Sequence, residues 1–590
     1  MPFDGITLHA VVSELQEALT GGRINKIYQP HKDELIFYIR RGREELKLLM
    51  SSHPVNCRIH LTESIVENPL SPPAFCMLLR KHLIGGNIVK IEQPDLERIV
   101  EITIHNNNEF MQPVEWKLII EIMGRHSNII LVQPESNTII DSIKRIPVEV
   151  NRFRQILPGE KYIYPPMQHK ISLTAFDHNN FMSTLCHAVV NGDTRTVSKW
   201  ILDNIMGLSG AASREITFRA GVDPQKTVGL LLEEEKNNIV KALEDVGTKI
   251  GSGNFSPSLY INSNTSEPDD FWVLPLLSLE QKHRLKVVKS HVNEIVDLYF
   301  SKKEKTEAFA SLKKRVCSEI SKHLEKLRQG FSFHKKKFQE TGDLEKYRLW
   351  GEILSAYLYQ VKPGLKEVKL PDFYDNDKII TIPFNEKLTP SQNAQLYFNR
   401  YKKLQSARIM LEKKLQEISQ EIYYLESALF DVENCSNMED LHEICHELEN
   451  QGYLKAAGKK CPRQSKSEPL KFRSSDGFTI YVGKNNRQND MLTLKKAGPE
   501  DIWLHTKDIP GSHVIIECSK QKVSDKALYE ASILAAYFSR ARNGSNVPVD
   551  YTLKKHVRKP AGAKPGFVIY DHHKTLYVTP DEATVKRLSL

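Results

Sequence analysis

Between Asp501 and His513 the chain reads Asp-Ile-Trp-Leu-His-Thr-Lys-Asp-Ile-Pro-Gly-Ser-His, an indole, two imidazoles, two carboxylates and a lysine in one short stretch. Carboxylates beside imidazoles are the material of general acid–base catalysis, and His505 and His513 lie near Asp501 and Asp508. No motif attaches a nucleophile or a metal ligand to them. The chain has no P-loop, dinucleotide fingerprint, Gly-x-Ser-x-Gly elbow or metalloprotease helix. Base stacking and phosphate contact use the same residues with fewer assumptions. Pro510-Gly511 presets a tight turn, because proline fixes φ and glycine tolerates positive φ. Val514-Ile515-Ile516 reads as a buried strand leaving that turn. A strand–turn–strand would carry Trp503, His505 and His513 to one edge, with Asp508 and Ser512 in the turn, and rings there can stack on unpaired bases. The alternative is that Trp503 and His505 are core packing.

From Tyr551 the chain runs Tyr-Thr-Leu-Lys-Lys-His-Val-Arg-Lys-Pro, followed by Gly562, Lys564, Pro565 and Gly566. A loop carrying Lys554, Lys555, Arg558 and Lys559 between prolines and glycines suits a phosphate backbone better than a small-molecule pocket. Otherwise these cations are a solvated edge. In order and spacing, the strings D-x-W-x-H-x-x-D-x-P-G-S-H-V and Y-T-x-x-K-x-V-x-K-P-x-G-x-x-P-G resemble the RNA-binding NFACT-R domain of a ribosome-associated quality-control family. That family includes RqcH in bacteria and NEMF in animals, and its streptococcal members are also called fibronectin-binding protein A.

At 590 residues the chain exceeds one compact core, and about three or four domains are expected. Its 40% hydrophobic and 26% charged content is that of an ordinary soluble protein, and a net charge of +9 permits RNA binding without requiring it. No run of about twenty apolar residues could span a membrane, and the start Met-Pro-Phe-Asp-Gly lacks a secretory layout. The 8 cysteines are scattered without a Cys-x-x-Cys, which fits a reducing cytosol. Cys57-Arg-Ile-His60 has no second half, so no metal is expected.

Residues 1–170 alternate helix and strand signals and predict an α+β domain. Thr7 to Leu19 has helical period and stops at Gly21-Gly22. Residues 34–40, 45–50, 98–104, 116–122 and 128–132 read as strands, and a helix begins at Pro72-Pro73. Residues 171–282 turn helical, and Ile205 to Ile216 has the layout of a helix-hairpin-helix turn, either a phosphate-binding corner or a plain joint. Residues 283–453 are charged and helical. One apolar stripe runs Phe309, Leu312, Val316, Ile320, Leu324, Leu327. A second, Leu411, Leu415, Ile418, Ile422, Leu425, Leu429, has coiled-coil spacing. With a proline-bearing, β-like piece from Val361 to Pro383 between them, they predict an antiparallel pair of long helices with a small tip. Residues 454–469 read as a linker, and 470–585 as a compact C-terminal domain. The fold class expected is multidomain α+β.

Pro2 behind a removable methionine could be an amine nucleophile of the formamidopyrimidine-glycosylase kind, but that pattern places a glutamate next and a zinc finger at the C-terminus; Phe3 stands here and the finger is missing. The quality-control family has an NFACT-N domain distantly related to that architecture. Phe3-Asp4-Gly5, the Gly21-to-Pro30 string, Glu121-x-Met123-Gly124-Arg125-x-Ser127-Asn128 and Leu388 to Lys403 resemble its motifs, so the resemblance spans nearly the whole chain. It implies tRNA contact at an acidic-Arg pair, which falls on Glu97-Arg98, and at Glu121, Met123, Arg125 and Asn128. Glu97 stands where Asp is usual. From spacing alone Glu97-Arg98 reads as a strand-edge ion pair. The chain ends soon after the NFACT-R resemblance, as the short bacterial layout does.

The resemblance further implies a cytoplasmic, ribosome-associated factor that binds large ribosomal subunits still holding peptidyl-tRNA. It would recruit tRNA, chiefly alanine-charged, and promote template-free alanine tailing of the nascent chain. No cofactor and no catalytic residue are expected, since peptidyl transfer belongs to the ribosome. The competing expectations are a fibronectin-binding adhesin and a glycosylase-like enzyme.

Overall fold

The computed structural model describes residues 3–65, 68–108, 110–166, 168–263, 265, 267–280, 284–455, 468–518 and 521–590. Pro2 and most of the expected 454–469 linker lie outside the described residues. The chain divides into two compact units, residues 1–307 and 308–590.

The first unit opens with α1 (Gly5–Leu19), whose buried face includes Ile6, Leu8, Val11, Leu15 and Leu19. The Asp4 carboxylate caps it by accepting the Thr7 N–H at 2.8 Å. Nine strands follow, β1 (Arg23–His31), β2 (Glu34–Arg41), β3 (Glu44–Ser51), β4 (Arg58–Leu61), β5 (Asn87–Glu92), β6 (Ile99–Asn107), β7 (Pro113–Glu121), β8 (Asn128–Gln133) and β9 (Thr138–Ser142), with α2 (Ala74–Leu83) between β4 and β5. They form one antiparallel sheet ordered β4-β3-β2-β1-β5-β6-β7-β8-β9. Around β8 both faces are covered. Ile129 and Leu131 join the main core, while Ile130 and Val132 pack with Ile156 and Tyr162. That two-sided burial explains the continuous apolar run Ile-Ile-Leu-Val.

Helices α3 (His178–Val190), α4 (Val197–Asn204), α5 (Gly210–Arg219) and α6 (Glu233–Gly251) follow. The 171–282 region is not wholly helical as expected. β10 (Ser258–Ile261) pairs with β11 (Pro268–Trp272) and with β12 (Leu285–Val288) in a three-stranded sheet, with the short α7 (Leu277–Glu280) between β11 and β12. Its strands are too short for periodicity to reveal.

α8 (Val292–Glu340) is 49 residues long and carries the chain into the second unit. There α9 (Leu344–Ala356), the hairpin β13 (Glu367–Asp372) and β14 (Lys378–Pro383), α10 (Pro390–Asn434) and α11 (Met438–Asn450) complete the arm. α8 and α10 run antiparallel, since Lys313 reaches the Glu433 carbonyl at 2.7 Å while Arg328 pairs with Glu426 at 2.5 Å. The first predicted stripe meets the C-terminal half of the second in one seam, where Val316, Ile320 and Leu324 cluster with Ile422, Leu425 and Leu429, joined by Ala428 and Val432; Leu411, Leu415 and Ile418 lie outside that cluster. Ile353, Leu370, Ile382 and Tyr397 build the small tip.

The C-terminal domain is a six-stranded sheet of β15 (Leu470–Arg473), β16 (Thr479–Val482), β17 (Ile502–Thr506), β18 (Val514–Glu517), β19 (Val547–Leu553) and β22 (Lys574–Val578), ordered β15-β16-β18-β17-β19-β22. β20 (Val557–Arg558) and β21 (Ile569–Tyr570) form a separate two-stranded ladder. α12 (Asn486–Met491) precedes β17, and α13 (Asp525–Tyr537) packs on one sheet face with α14 (Glu582–Leu588). The multidomain α+β expectation is met. No helix among the described residues is long and apolar enough to cross a membrane.

Candidate nucleic-acid interface

The ring cluster converges as its spacing implies, but inward. β17 is a central strand, so Trp503 and His505 lie on one face and Leu504 on the other. Leu504 faces the α13 core, whereas Trp503 packs among Leu492, Ile515 and Val557. The Trp503 and His505 rings stack at 5.8 Å, and His513 stands edge-on to both at 5.2 and 5.4 Å. Trp503 is 0% exposed, and Tyr570 covers it at 4.8 Å. The expectation of rings open to unpaired bases is therefore corrected for Trp503 and His513. The 554–570 segment folds back over the sheet and closes that face.

Burial holds the His505 imidazole down at about 4, with the backbone of Gly511 and Thr506 opposing. Burial and His505 together push His513 well below the usual histidine range. His513 shares a 2.7 Å hydrogen bond with the Thr493 hydroxyl. Burial thus favours the neutral form of both imidazoles. Ser512 is also buried, its N–H donating to the Phe538 carbonyl at 3.0 Å. Asp508 remains exposed in the turn at φ 53°.

The cationic block does face outward. Lys554 is partly exposed and has no ion-pair partner among the described residues. Lys555 meets Glu500 and Arg558 meets Asp571, each at 3.1 Å on exposed side chains. Such pairs contribute little and exchange readily for phosphate. Lys559 differs. It binds Asp490 at 2.5 Å, and Asp490 also accepts the Gly566 N–H at 3.1 Å, so this lysine pins the loop.

In the first unit, Glu97 and Arg98 sit just before β6 in an open cleft of about 250 Å³. Its walls include Asp4 and Gly5 before and at the start of α1, Lys170, and the Gly207–Ser209 turn between α4 and α5. Asp4 ties these pieces together, accepting the Ser209 N–H at 3.1 Å. A side chain at Gly5 would come within 2.7 Å of the Gly207 Cα, so Phe3-Asp4-Gly5 is the joint that seats the hairpin turn. The expected Glu97–Arg98 ion pair is not formed. Among the described residues neither side chain has a partner, and Glu97 Oε1 is buried with none. An unpartnered carboxylate oxygen beside a free guanidinium, with Lys170 close by, is a polar site without internal satisfaction. Burial lowers the Lys170 amine, with Asp203 opposing, Arg98 reinforcing and Glu97 opposing.

β6–β7 pairing brings the 121–128 string beside this cleft, with Ile122 donating to the Arg98 carbonyl at 2.8 Å. Direct tRNA contact by Glu121 and Asn128 is corrected, because both are 0% exposed. Glu121 is held by Arg154 at 2.9 Å and by the Tyr162 hydroxyl at 2.9 Å. Asn128 clamps Lys144 through its backbone at 2.8 and 3.1 Å. Met123 is half-buried against the Ile156 and Tyr162 cluster, and Arg125 alone of the four is exposed. Together they shape the 123–127 turn. Lys170, Arg154 and Tyr162 carried no motif signal; only the folded chain brings them to this site.

The family model described as "NFACT N-terminal and middle domains" matches residues 4–468, and "NFACT protein RNA binding domain" matches residues 469–571. The chain belongs to the RqcH/NEMF family of NFACT-domain proteins. It is 38% identical to the Rqc2 homolog RqcH of Bacillus subtilis over the full length of both chains. With the Rqc2 homolog RqcH of Streptococcus pneumoniae it shares 36% identity over 99% of each. The solved C-terminal part of the fibronectin/fibrinogen-binding protein of Streptococcus suis is 35% identical, covers 48% of this chain and 99% of its own, and superposes with a TM-score of 0.40. In this NFACT chain the RNA-binding domain and the coiled-coil arm from residue 308 onward belong to one compact unit.

Proposed function

We propose that this protein acts in ribosome-associated quality control by binding RNA rather than by catalysis. It engages large ribosomal subunits that still hold peptidyl-tRNA, recruits tRNA, chiefly alanine-charged, and promotes template-free alanine addition to the stalled nascent chain, in the cytoplasm. Full-length likeness to RqcH relatives and the RNA-binding-domain match support this role. The observation that carries the tRNA contact is the unpartnered Glu97–Arg98 pair in its open cleft. The Arg98 guanidinium suits a phosphate or base edge, and the Glu97 carboxylate accepts from a base amine. The N-terminal cleft holds tRNA and the cationic loop at Lys554, Lys555 and Arg558 neutralises phosphates of ribosomal RNA or tRNA. Peptidyl transfer stays with the ribosome.

Glu97→Ala with Arg98→Ala should abolish tRNA co-purification and tailing while ribosome co-sedimentation and the melting temperature hold. Normal tRNA recovery in that variant would overturn the assignment. Fibronectin binding is a property in the name of the streptococcal relative, and no observation on this chain favours it over RNA.

A further inference from the structure

Within the second unit, a cleft of about 260 Å³ opens between α10 and the 562–567 loop. Tyr423 of α10 and Phe567 of the loop supply aromatic walls, and His505 and Gly511 line it from the sheet. Asn486 also lines it and is 4% exposed. Its Oδ1 accepts the Ser427 hydroxyl at 3.0 Å, but its Nδ2 is buried with no partner. A buried donor left unpaired is costly and points to something that satisfies it. Lys564 stands at the mouth, hydrogen-bonded to Gln451 at 2.9 Å and lying over the Tyr453 ring at 5.0 Å. Gly562 and Gly566, both at φ +76°, turn the loop here, and Gly566 lies so close to Asn486 that a Cβ would meet its Oδ1. Glu417 and Glu421 form the opposite rim.

We propose that this cleft receives one unstacked RNA nucleotide, its base between Tyr423 and Phe567 and its phosphate at Lys564. The proposal rests on the RNA-binding reading above and deepens it. Splayed-out bases are recognised by aromatic stacking plus hydrogen bonds to their edges, and each requirement has a residue here. Asn486 Nδ2 donates to a ring nitrogen or carbonyl of the base. The rim carboxylates accept from an exocyclic amine and repel a second phosphate, so adenine or cytosine is favoured over uracil. The neutral His505 adds no charge on the base side. Burial, with the charge of Asp508, raises the Tyr423 hydroxyl to about 12, so it keeps its proton near pH 7.

The test uses the full chain and an RNA hairpin carrying a single bulged 2-aminopurine, beside the fully paired hairpin. Fluorescence of the bulged probe should fall on binding, and bulged adenine or cytosine should compete better than bulged uracil. Tyr423→Ala should weaken the bulged hairpin roughly ten-fold while leaving the paired hairpin unchanged. Phe567→Ala, on the loop, serves the same purpose if Tyr423→Ala lowers the melt. If both hairpins bind equally, the probe stays bright and neither variant discriminates, the cleft is not a base receptor although RNA binding stands. If neither hairpin nor ribosomal subunits bind, the RNA-binding reading fails and the proposal falls with it.

Discussion

Trp503 separates an RNA-stacking surface from a core most sharply. The indole is 0% exposed, enclosed by Leu492, Ile515, Val557 and the rings of His505, His513 and Tyr570. Truncating a buried tryptophan to alanine costs about 3–5 kcal/mol. One contribution runs the other way. Trp503 Nε1 is buried with no hydrogen-bond partner, and relieving an unpaired buried donor recovers about 1–3 kcal/mol. The balance is a loss of about 2 kcal/mol, or a fall of about 4–8 °C in melting temperature for a unit of this size. Trp503→Phe keeps most of the packing and removes the orphan donor, so it should cost about 1 kcal/mol or less. The assay is thermal unfolding of both variants, with the affinity of the folded fraction for large ribosomal subunits measured in parallel. Trp503→Ala with an unchanged melt and lost binding would show that the indole reaches RNA, and the account of a closed ring cluster would be wrong.

Replacing Lys554 and Arg558 together should flatten the salt dependence of subunit binding by roughly one unit per lost phosphate contact. An unchanged slope would show that they do not touch phosphate. Arg154→Ala leaves the fully buried Glu121 with the Tyr162 hydroxyl alone and should destabilise the first unit by about 3–5 kcal/mol, read by denaturant unfolding; a loss below about 1 kcal/mol would mean the pair is solvated. Burial holds His505 at about 4 against an ordinary 6.5, and burial with His505 pushes His513 well below its ordinary range. The folded state therefore binds fewer protons than the unfolded chain, and this contribution is fully present above pH 6.5 and lost as pH falls towards about 4. Glu447, raised to about 7 by burial, contributes oppositely, its share present below 4.5 and lost as pH rises through 7. NMR titration should find the His505 imidazole neutral at pH 6 in the folded protein, and titration near 6.5 would contradict its burial.

Local periodicity was enough to write the elements that depend on neighbours in the chain. The stripes at Val316–Leu324 and Leu425–Leu429 lie at helical spacing, and that spacing favours packing of each helix against a partner arm. The strands 34–40, 45–50 and 128–132 are legible from their β-rich runs, and the two C-terminal strings by themselves carry the resemblance to the family. What could not be read was which way a face points once the sheet is covered. Trp503 and His505 alternate with Leu504 in either reading, and only the return of the 554–570 segment decides that both sheet faces are closed. Glu121 and Asn128 look like polar contacts in sequence; Arg154, Tyr162 and Lys144, brought in by folding, turn them into internal braces. The Glu97–Arg98 pair went the other way. Adjacent opposite charges suggest an ion pair, yet the chain reversal before β6 and the wall formed by Asp4, Lys170 and Ser209 leave both groups unpartnered in an open cleft. Sequence specifies interactions that repeat every two to four residues, while solvent access to a given side chain is set by segments far away along the chain, and here that is what divides a contact residue from a brace.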